Sequence, residues 1–194
     1  MRIVAGKHRG RRLETPAGLD VRPTSDRTRQ SLFNILSHGD WMEDGSDVLD
    51  GADVLDGVDV LDAFCGTGAL ALEALSHGAS RAALLDKARS SLDIARRNAE
   101  MLGEGAQCRF ILGDAAKPPP APFAARLVFL DPPYGQDLSP PALTGLSRAG
   151  WIAPGALVCV EVGAEDAFAL PPGFDALDVR DYSQARIHFL RYRG

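Results

Sequence analysis

The apolar run Leu127 to Leu130 ends in Asp131-Pro132-Pro133-Tyr134, a combination with a definite chemical use. Two consecutive prolines remove backbone donors and lock the chain, so the Asp131 carboxylate and the carbonyl beside Pro132 both face a ligand as acceptors. An exocyclic amino group on a nucleobase is a poor nucleophile because its lone pair is delocalised into the ring. Two acceptors holding its hydrogens favour a pyramidal nitrogen able to attack a methyl sulfonium, and Tyr134 would stack on the extruded base. Asp131 is also a candidate to take the departing proton. Read alone, the tetrapeptide also fits a rigid turn.

A second constellation lies upstream, in Leu61-Asp62-Ala63-Phe64-Cys65-Gly66-Thr67-Gly68-Ala69. It reads as a strand, a glycine turn and a helix start, where the backbone approaches a ligand closely and free N–H groups are available. Asp86 follows 18 residues after Gly68, at the end of the next strand, where a carboxylate suits ribose hydroxyls. Lys87 follows it. Gly113-Asp114-Ala115, after a third strand, suits an adenine amino group, although an Asp capping a turn explains it equally well. The candidate donor-binding set is therefore Asp62, Phe64, Cys65, Gly66, Thr67, Gly68, Asp86, Lys87, Gly113, Asp114, Ala115 and Asp131. The spacing Gly66-x-Gly68-x-x-Ala71 also satisfies the alanine-ended dinucleotide fingerprint, so a nicotinamide-linked oxidoreductase stays open. Cys65 has no histidine nearby in sequence and is read as packing rather than as a nucleophile. The four histidines are scattered and the three cysteines form no Cys-x-x-Cys pair, so no metal site and no disulfide are expected.

Alternating strands and helices must position these groups. Helices are expected at about 26–38, 69–77 and 88–102, and strands at 58–64, 81–85, 108–112, 127–130, 156–162, 176–182 and 187–192. This pattern predicts an α/β doubly wound, seven-stranded Rossmann-like sheet with its ligand at the carboxyl ends of the strands. Residues 1–40 are expected to form an N-terminal hairpin, or arm, and a helix packed on a core of residues 41–194. The prolines at 118–120 and 122 mark a stiff connector. Asp-Val-Leu-Asp recurs three times from Asp47, and only the third copy runs into the glycine turn; residues 47–58 are read as an acidic surface insertion, mobile in solution.

With 194 residues, 45% of them apolar, the chain suits one compact domain. No apolar run reaches the length of a membrane helix, and a soluble, cytoplasmic monomer is expected. The net charge of −5 argues at first against a polyanionic partner. Its distribution reverses that inference: residues 1–30 hold eight basic side chains against three acids. Arg9, Arg11, Arg12, Arg22, Arg27 and Arg29 are the candidate phosphate contacts, against a plain solvated face as the alternative.

The chain resembles the RsmD family of 16S rRNA guanine-N2 methyltransferases over nearly its whole length. The likeness is carried by Arg2-Ile3-Val4-Ala5-Gly6, Arg9-Gly10-Arg11-Arg12-Leu13, Arg22-Pro23-Thr24-Ser25-Asp26-Arg27, Leu32-Phe33-Asn34, Asp62 to Leu70, Leu72-Glu73-Ala74-Leu75, Asp131 to Tyr134 and the Tyr182 to Arg191 tail. The resemblance implies S-adenosyl-L-methionine as donor, a guanine amino group of small-subunit rRNA as acceptor, the small ribosomal subunit or its assembly intermediate as partner, and closure of Arg22 to Asn34 over the donor. Asp86 stands where the family more often has Glu, and the repeated segment is extra. Alternatives are a DNA adenine or cytosine amino-methyltransferase, the oxidoreductase, and a noncatalytic rRNA-binding assembly factor.

Overall fold

The computed structural model describes residues 1–16, 26–38, 41 and 55–194. Seven strands form one sheet: β1 (Asp59–Ala63), β2 (Arg81–Asp86), β3 (Cys108–Leu112), β4 (Ala125–Leu130), β5 (Ile152–Gly163), β6 (Phe174–Asp181) and β7 (Ala185–Tyr192). Their order is β3-β2-β1-β4-β5-β7-β6. The first five are parallel, and β7 runs antiparallel between β5 and β6. The order reverses between β1 and β4, which makes their carboxyl ends the switch point where a ligand crevice opens.

Side-chain alternation explains why the strands read as continuous apolar runs. Val60, Leu84, Leu127, Phe129 and Cys159 enter one core, while Leu61, Leu85, Val128, Leu130 and Val160 enter a second on the opposite face. Both faces of a parallel sheet are covered. The first is covered by α1 (Asp26–His38), α2 (Ala69–Ser76) and α3 (Arg89–Leu102). On the second, α4 (Ser139–Arg148) packs with Trp151. The sequence pattern predicts no helix here. Pro140 and Pro141 resemble breakers, but in a first turn their missing N–H groups cost nothing. Gly145 has a separate purpose, because a Cβ there would stand 2.4 Å from the Ala116 carbonyl oxygen.

Residues 1–13 close on themselves through backbone bonds from Ile3 to Arg11 and from Leu13 to Met1, with one β-bridge at Arg2 and Arg12. The expected hairpin is thus a looped arm around a short 3-10 turn, Gly6–His8, without regular strands. It lies on α2, which explains why every residue of that helix is buried. Glu73, fully buried, is the fastening point. Its carboxylate accepts the backbone N–H groups of Val4 and Ala5 and pairs with Arg29 of α1 at 3.3 Å. Removing one partner of such a buried pair costs about 3–5 kcal/mol.

Arg29 is therefore a correction to the sequence reading. It is 0% exposed and holds Glu73, Asp26 and the Arg2 carbonyl, so it is withdrawn from any phosphate. Arg22 and positions 47–54 of the repeated insertion lie outside the described residues. Of the remaining residues of the insertion, Leu55 is fully buried, Asp56 and Gly57 are exposed in a turn, and Gly57 donates its N–H to the Gly78 carbonyl just before β1.

Candidate active site

The parallel register sets the site. Ala63 of β1 pairs with Leu85 of β2 on one side and Leu130 of β4 on the other, and Asp86 pairs with Leu112 of β3. One step further along each strand, Phe64, Asp86, Gly113 and Asp131 fall into a row at the carboxyl edge, with neighbouring strands about 4.8 Å apart. Motifs spread over 70 residues of chain thus share one ledge.

The loop after β1 is shaped by its own backbone. Phe64 adopts φ +69° and, with Cys65, donates its N–H to the Leu85 carbonyl. Gly66 has φ +51°, and a Cβ on it would project into open space; this is a cradle that a side chain would fill and a ligand can use. Gly68 has the opposite need, since a Cβ would meet Leu84 at 2.8 Å. Asp86 completes the loop by accepting the N–H groups of Gly66 at 2.9 Å and Ala88 at 2.8 Å, one on each oxygen. A carboxylate has about four acceptor positions, so hydroxyl donors can still be received. Thr67 meets the Met1 sulfur, its carbonyl is held by Asn98 of α3, and Lys87 is exposed. These residues fit a nucleoside-bearing donor.

Asp62 and Cys65 of the expected donor set do not offer their side chains to the cleft. Asp62 is 1% exposed, and its carboxylate accepts the Ala71 N–H inside α2. Burial, with the nearby Asp86 charge adding to it, pushes its pKa up from 3.8 to about 7. Its task is to hold the helix start behind the glycine turn. Cys65 is buried, and its thiol is pushed well above the ordinary value by desolvation and then by the Asp62 and Asp86 charges. A thiol kept neutral is no nucleophile, which agrees with the packing role read from sequence. Asp114 is exposed and accepts the Ala116 N–H, while Ala115 is buried. Gly113 has no room for a Cβ, with Pro119 at 2.9 Å.

The turn after β4 is held differently. Pro132 is buried, Pro133 exposed, and Tyr134 is 39% exposed with its hydroxyl donating to the Glu161 carboxylate of β5. The next N–H, of Gly135, donates to Asp166 at 2.9 Å. A cavity of about 320 Å³ opens beside this turn, lined by Pro132, Pro133, Tyr134, Val162, Asp166 and Phe168 among others. That volume is at the lower end for small-molecule sites, about 300–1,000 Å³. Glu161 and Asp166 were missed in the sequence reading. Glu161 did leave a signal, a lone charge within the apolar run Ala156 to Val162. Asp166 left none, because a carboxylate in a loop is ordinary.

Arg9, Arg11, Arg12 and Arg27 are exposed, and Arg11 also donates to the Met101 carbonyl. Among the described residues there is no His, Cys, Asp and Glu cluster able to hold a metal ion and no helix long and apolar enough to cross a membrane.

Comparison with known proteins adds identity to this geometry. A family model described as conserved hypothetical protein 95 matches residues 1–191. Ribosomal RNA small subunit methyltransferase D of Escherichia coli (strain K12) is 33% identical over 178 residues, covering 89% of this chain and 79% of that protein. The Haemophilus influenzae protein of the same name is 28% identical over 184 residues, covering 91% and 86%. Among solved structures, the Escherichia coli protein yhhF superimposes with a TM-score of 0.80 at 28% identity, covering 100% of this chain and 98% of that one. With the family model spanning almost the whole chain and the motifs in one row at the switch point, the chain belongs to the conserved hypothetical protein 95 family, the RsmD family.

Proposed function

We propose that this protein transfers the methyl group of S-adenosyl-L-methionine to the exocyclic N2 of one guanine in 16S rRNA, within the small ribosomal subunit or an assembly intermediate. The observation that carries the reading is the adjacency of two different sites at the edge of one sheet. A glycine loop with a carboxylate for a nucleoside follows β1, and an Asp-Pro-Pro-Tyr turn for an amino group follows the neighbouring β4. Membership of the RsmD family and the names of the relatives support rRNA as acceptor.

Gly66, Thr67, Asp86 and Asp114 would hold the donor, which when bound supplies an electrophilic methyl sulfonium. Asp131 and the carbonyl beside Pro132 would receive the two hydrogens of the amino group, directing its lone pair along the line of attack. Asp131 would also receive the proton released by the amino nitrogen. Tyr134 would lie against the extruded base, with the cavity beyond it receiving the ring. Exposed Arg9, Arg11, Arg12 and Arg27 would bind phosphate and make binding salt-dependent. A dinucleotide oxidoreductase would use the glycine loop but would leave the acceptor turn and its cavity without a task.

The test is transfer of labelled methyl to small subunits lacking their native guanine methylation, with naked 16S rRNA and duplex DNA alongside. The expected result is N2-methylguanine at one rRNA position. Methylation of duplex DNA alone would reassign the enzyme to DNA, and donor binding without transfer to any substrate would leave an assembly factor.

A further inference from the structure

Glu161 is a carboxylate inside an apolar strand, only 5% exposed, and the proposed chemistry does not use it. The register Leu130 to Val160 between β4 and β5 brings it level with Asp131 one step further on. From there its Oε1 accepts the Tyr134 hydroxyl. Three residues past the end of β5, Asp166 Oδ2 accepts the Gly135 N–H at 2.9 Å and the Gly163 N–H at 3.1 Å. The ring of Tyr134 and the backbone just behind it are thus both fastened to the end of β5.

We propose that Glu161 is a positioning residue for methyl transfer, fixing the ring of Tyr134 against which the base lies, with Asp166 fixing the turn behind it. The proposal rests on the acceptor role given above to the Asp131 to Tyr134 turn. A tyrosine on an exposed turn turns freely about two side-chain bonds, and a base stacked on it inherits that spread. A hydrogen bond to a carboxylate is about twice as strong as one between neutral groups, and from a buried partner it selects one ring orientation. The reacting nitrogen lies in the plane of the stacked base, so the ring sets its distance from the methyl carbon. A displacement of about 1 Å costs on the order of 100-fold in rate. Stacking itself makes no use of the hydroxyl. A purely stacking tyrosine would therefore tolerate phenylalanine, whereas a ring positioned through its hydroxyl does not.

The experiment compares Tyr134→Phe, Glu161→Ala, Glu161→Gln and the double variant Tyr134→Phe/Glu161→Ala. Glu161→Ala and Tyr134→Phe should each lower kcat about 10- to 100-fold while the KM for the donor stays within about 3-fold. The double variant should be no worse than either single change, because one interaction has been removed twice. Glu161→Gln keeps an oxygen acceptor and should recover most of the rate. Gly163→Ala approaches the clamp from behind: a Cβ there would stand 2.8 Å from Asp166 Oδ2, and a smaller loss of kcat is expected. Additive losses in the double variant, or Glu161→Gln as damaging as Glu161→Ala, overturn the proposal.

A readout independent of turnover comes from fluorotyrosine labelling, since the chain has three tyrosines and Tyr134→Phe identifies the relevant 19F resonance. That resonance should move to a solvent-averaged position in Glu161→Ala and stay dispersed in Glu161→Gln. A resonance that Glu161→Ala leaves in place sinks the idea. If Glu161→Ala does not fold, the rate and 19F spectrum of Glu161→Gln beside Tyr134→Phe decide: a recovered rate and a dispersed resonance support the role, and losses matching those of Tyr134→Phe end it. Wild-type protein that methylates no RNA defeats the functional reading, while the resonance still decides whether Glu161 holds the ring.

Discussion

The loop after β1 and the turn after β4 stand side by side at the sheet edge, yet they are held by different means. The β1 loop is shaped mainly by backbone groups: left-handed glycines and N–H groups bonded to the Leu85 carbonyl of neighbouring β2, with Asp86 of the same strand bridging two amides. The β4 turn is rigid at its prolines, but its aromatic end depends on side chains from β5 and beyond, Glu161 and Asp166. On the proposed reading, a nucleoside donor is recognised largely through a fixed concave backbone, so glycine geometry and one neighbouring strand suffice. An acceptor base must be oriented to a fraction of an ångström, and that demands supports from outside the turn.

The comparison predicts that damage on the two sides will show in different kinetic parameters. The largest effect is expected for Asp131→Ala, with kcat down about 100- to 1,000-fold, as when a group serving the transition state is deleted. Calorimetry should find its donor affinity little changed; an equal loss of donor affinity would erase the distinction between the two sides. Next comes Asp86→Ala, which removes a charged acceptor and should weaken donor binding about 10- to 100-fold. Its kcat at saturating donor should stay within a few-fold, and a collapse of kcat instead would make Asp86 part of the acceptor site.

The smallest effect sharpens the account of the β1 loop. Burial holds the Asp62 carboxyl protonated up to about 7, whereas in the unfolded chain it ionises near 3.8. Between those values the folded state binds the extra proton. The contribution to stability is therefore complete below about 3.8 and is lost as pH rises through 7. Asp62→Asn has no such proton to lose and still offers an oxygen to the Ala71 N–H. Its melting temperature relative to wild type should climb by a few °C between pH 5 and pH 8. A difference that does not change with pH would mean that Asp62 is not titrating in this range.

How far each region could be read from sequence follows the same division. The glycine turn, the prolines and the apolar strands act through intrinsic backbone preferences, so their places were legible, and β3 spans the residues expected for it. Helix α4 was not, because the prolines at its start look alike whether they open a helix or forbid one. Arg29 was misread because charge alone does not say on which side of a helix a guanidinium will be buried. Glu73 stood in plain view among apolar residues of α2, but its partners Val4, Ala5 and Arg29 lie 44 to 69 residues away.

The sequence by itself determined the order of the seven strands and the first three helices, the places of the two motifs, and the basic character of the N-terminal arm, since each depends on near neighbours in the chain. Tertiary structure alone decided that Phe64, Asp86, Gly113 and Asp131 share one ledge, that Asp62 and Arg29 face inward, and that Glu161 holds Tyr134. Those outcomes depend on strand register and on which groups are desolvated, quantities that exist only once distant segments have packed against one another.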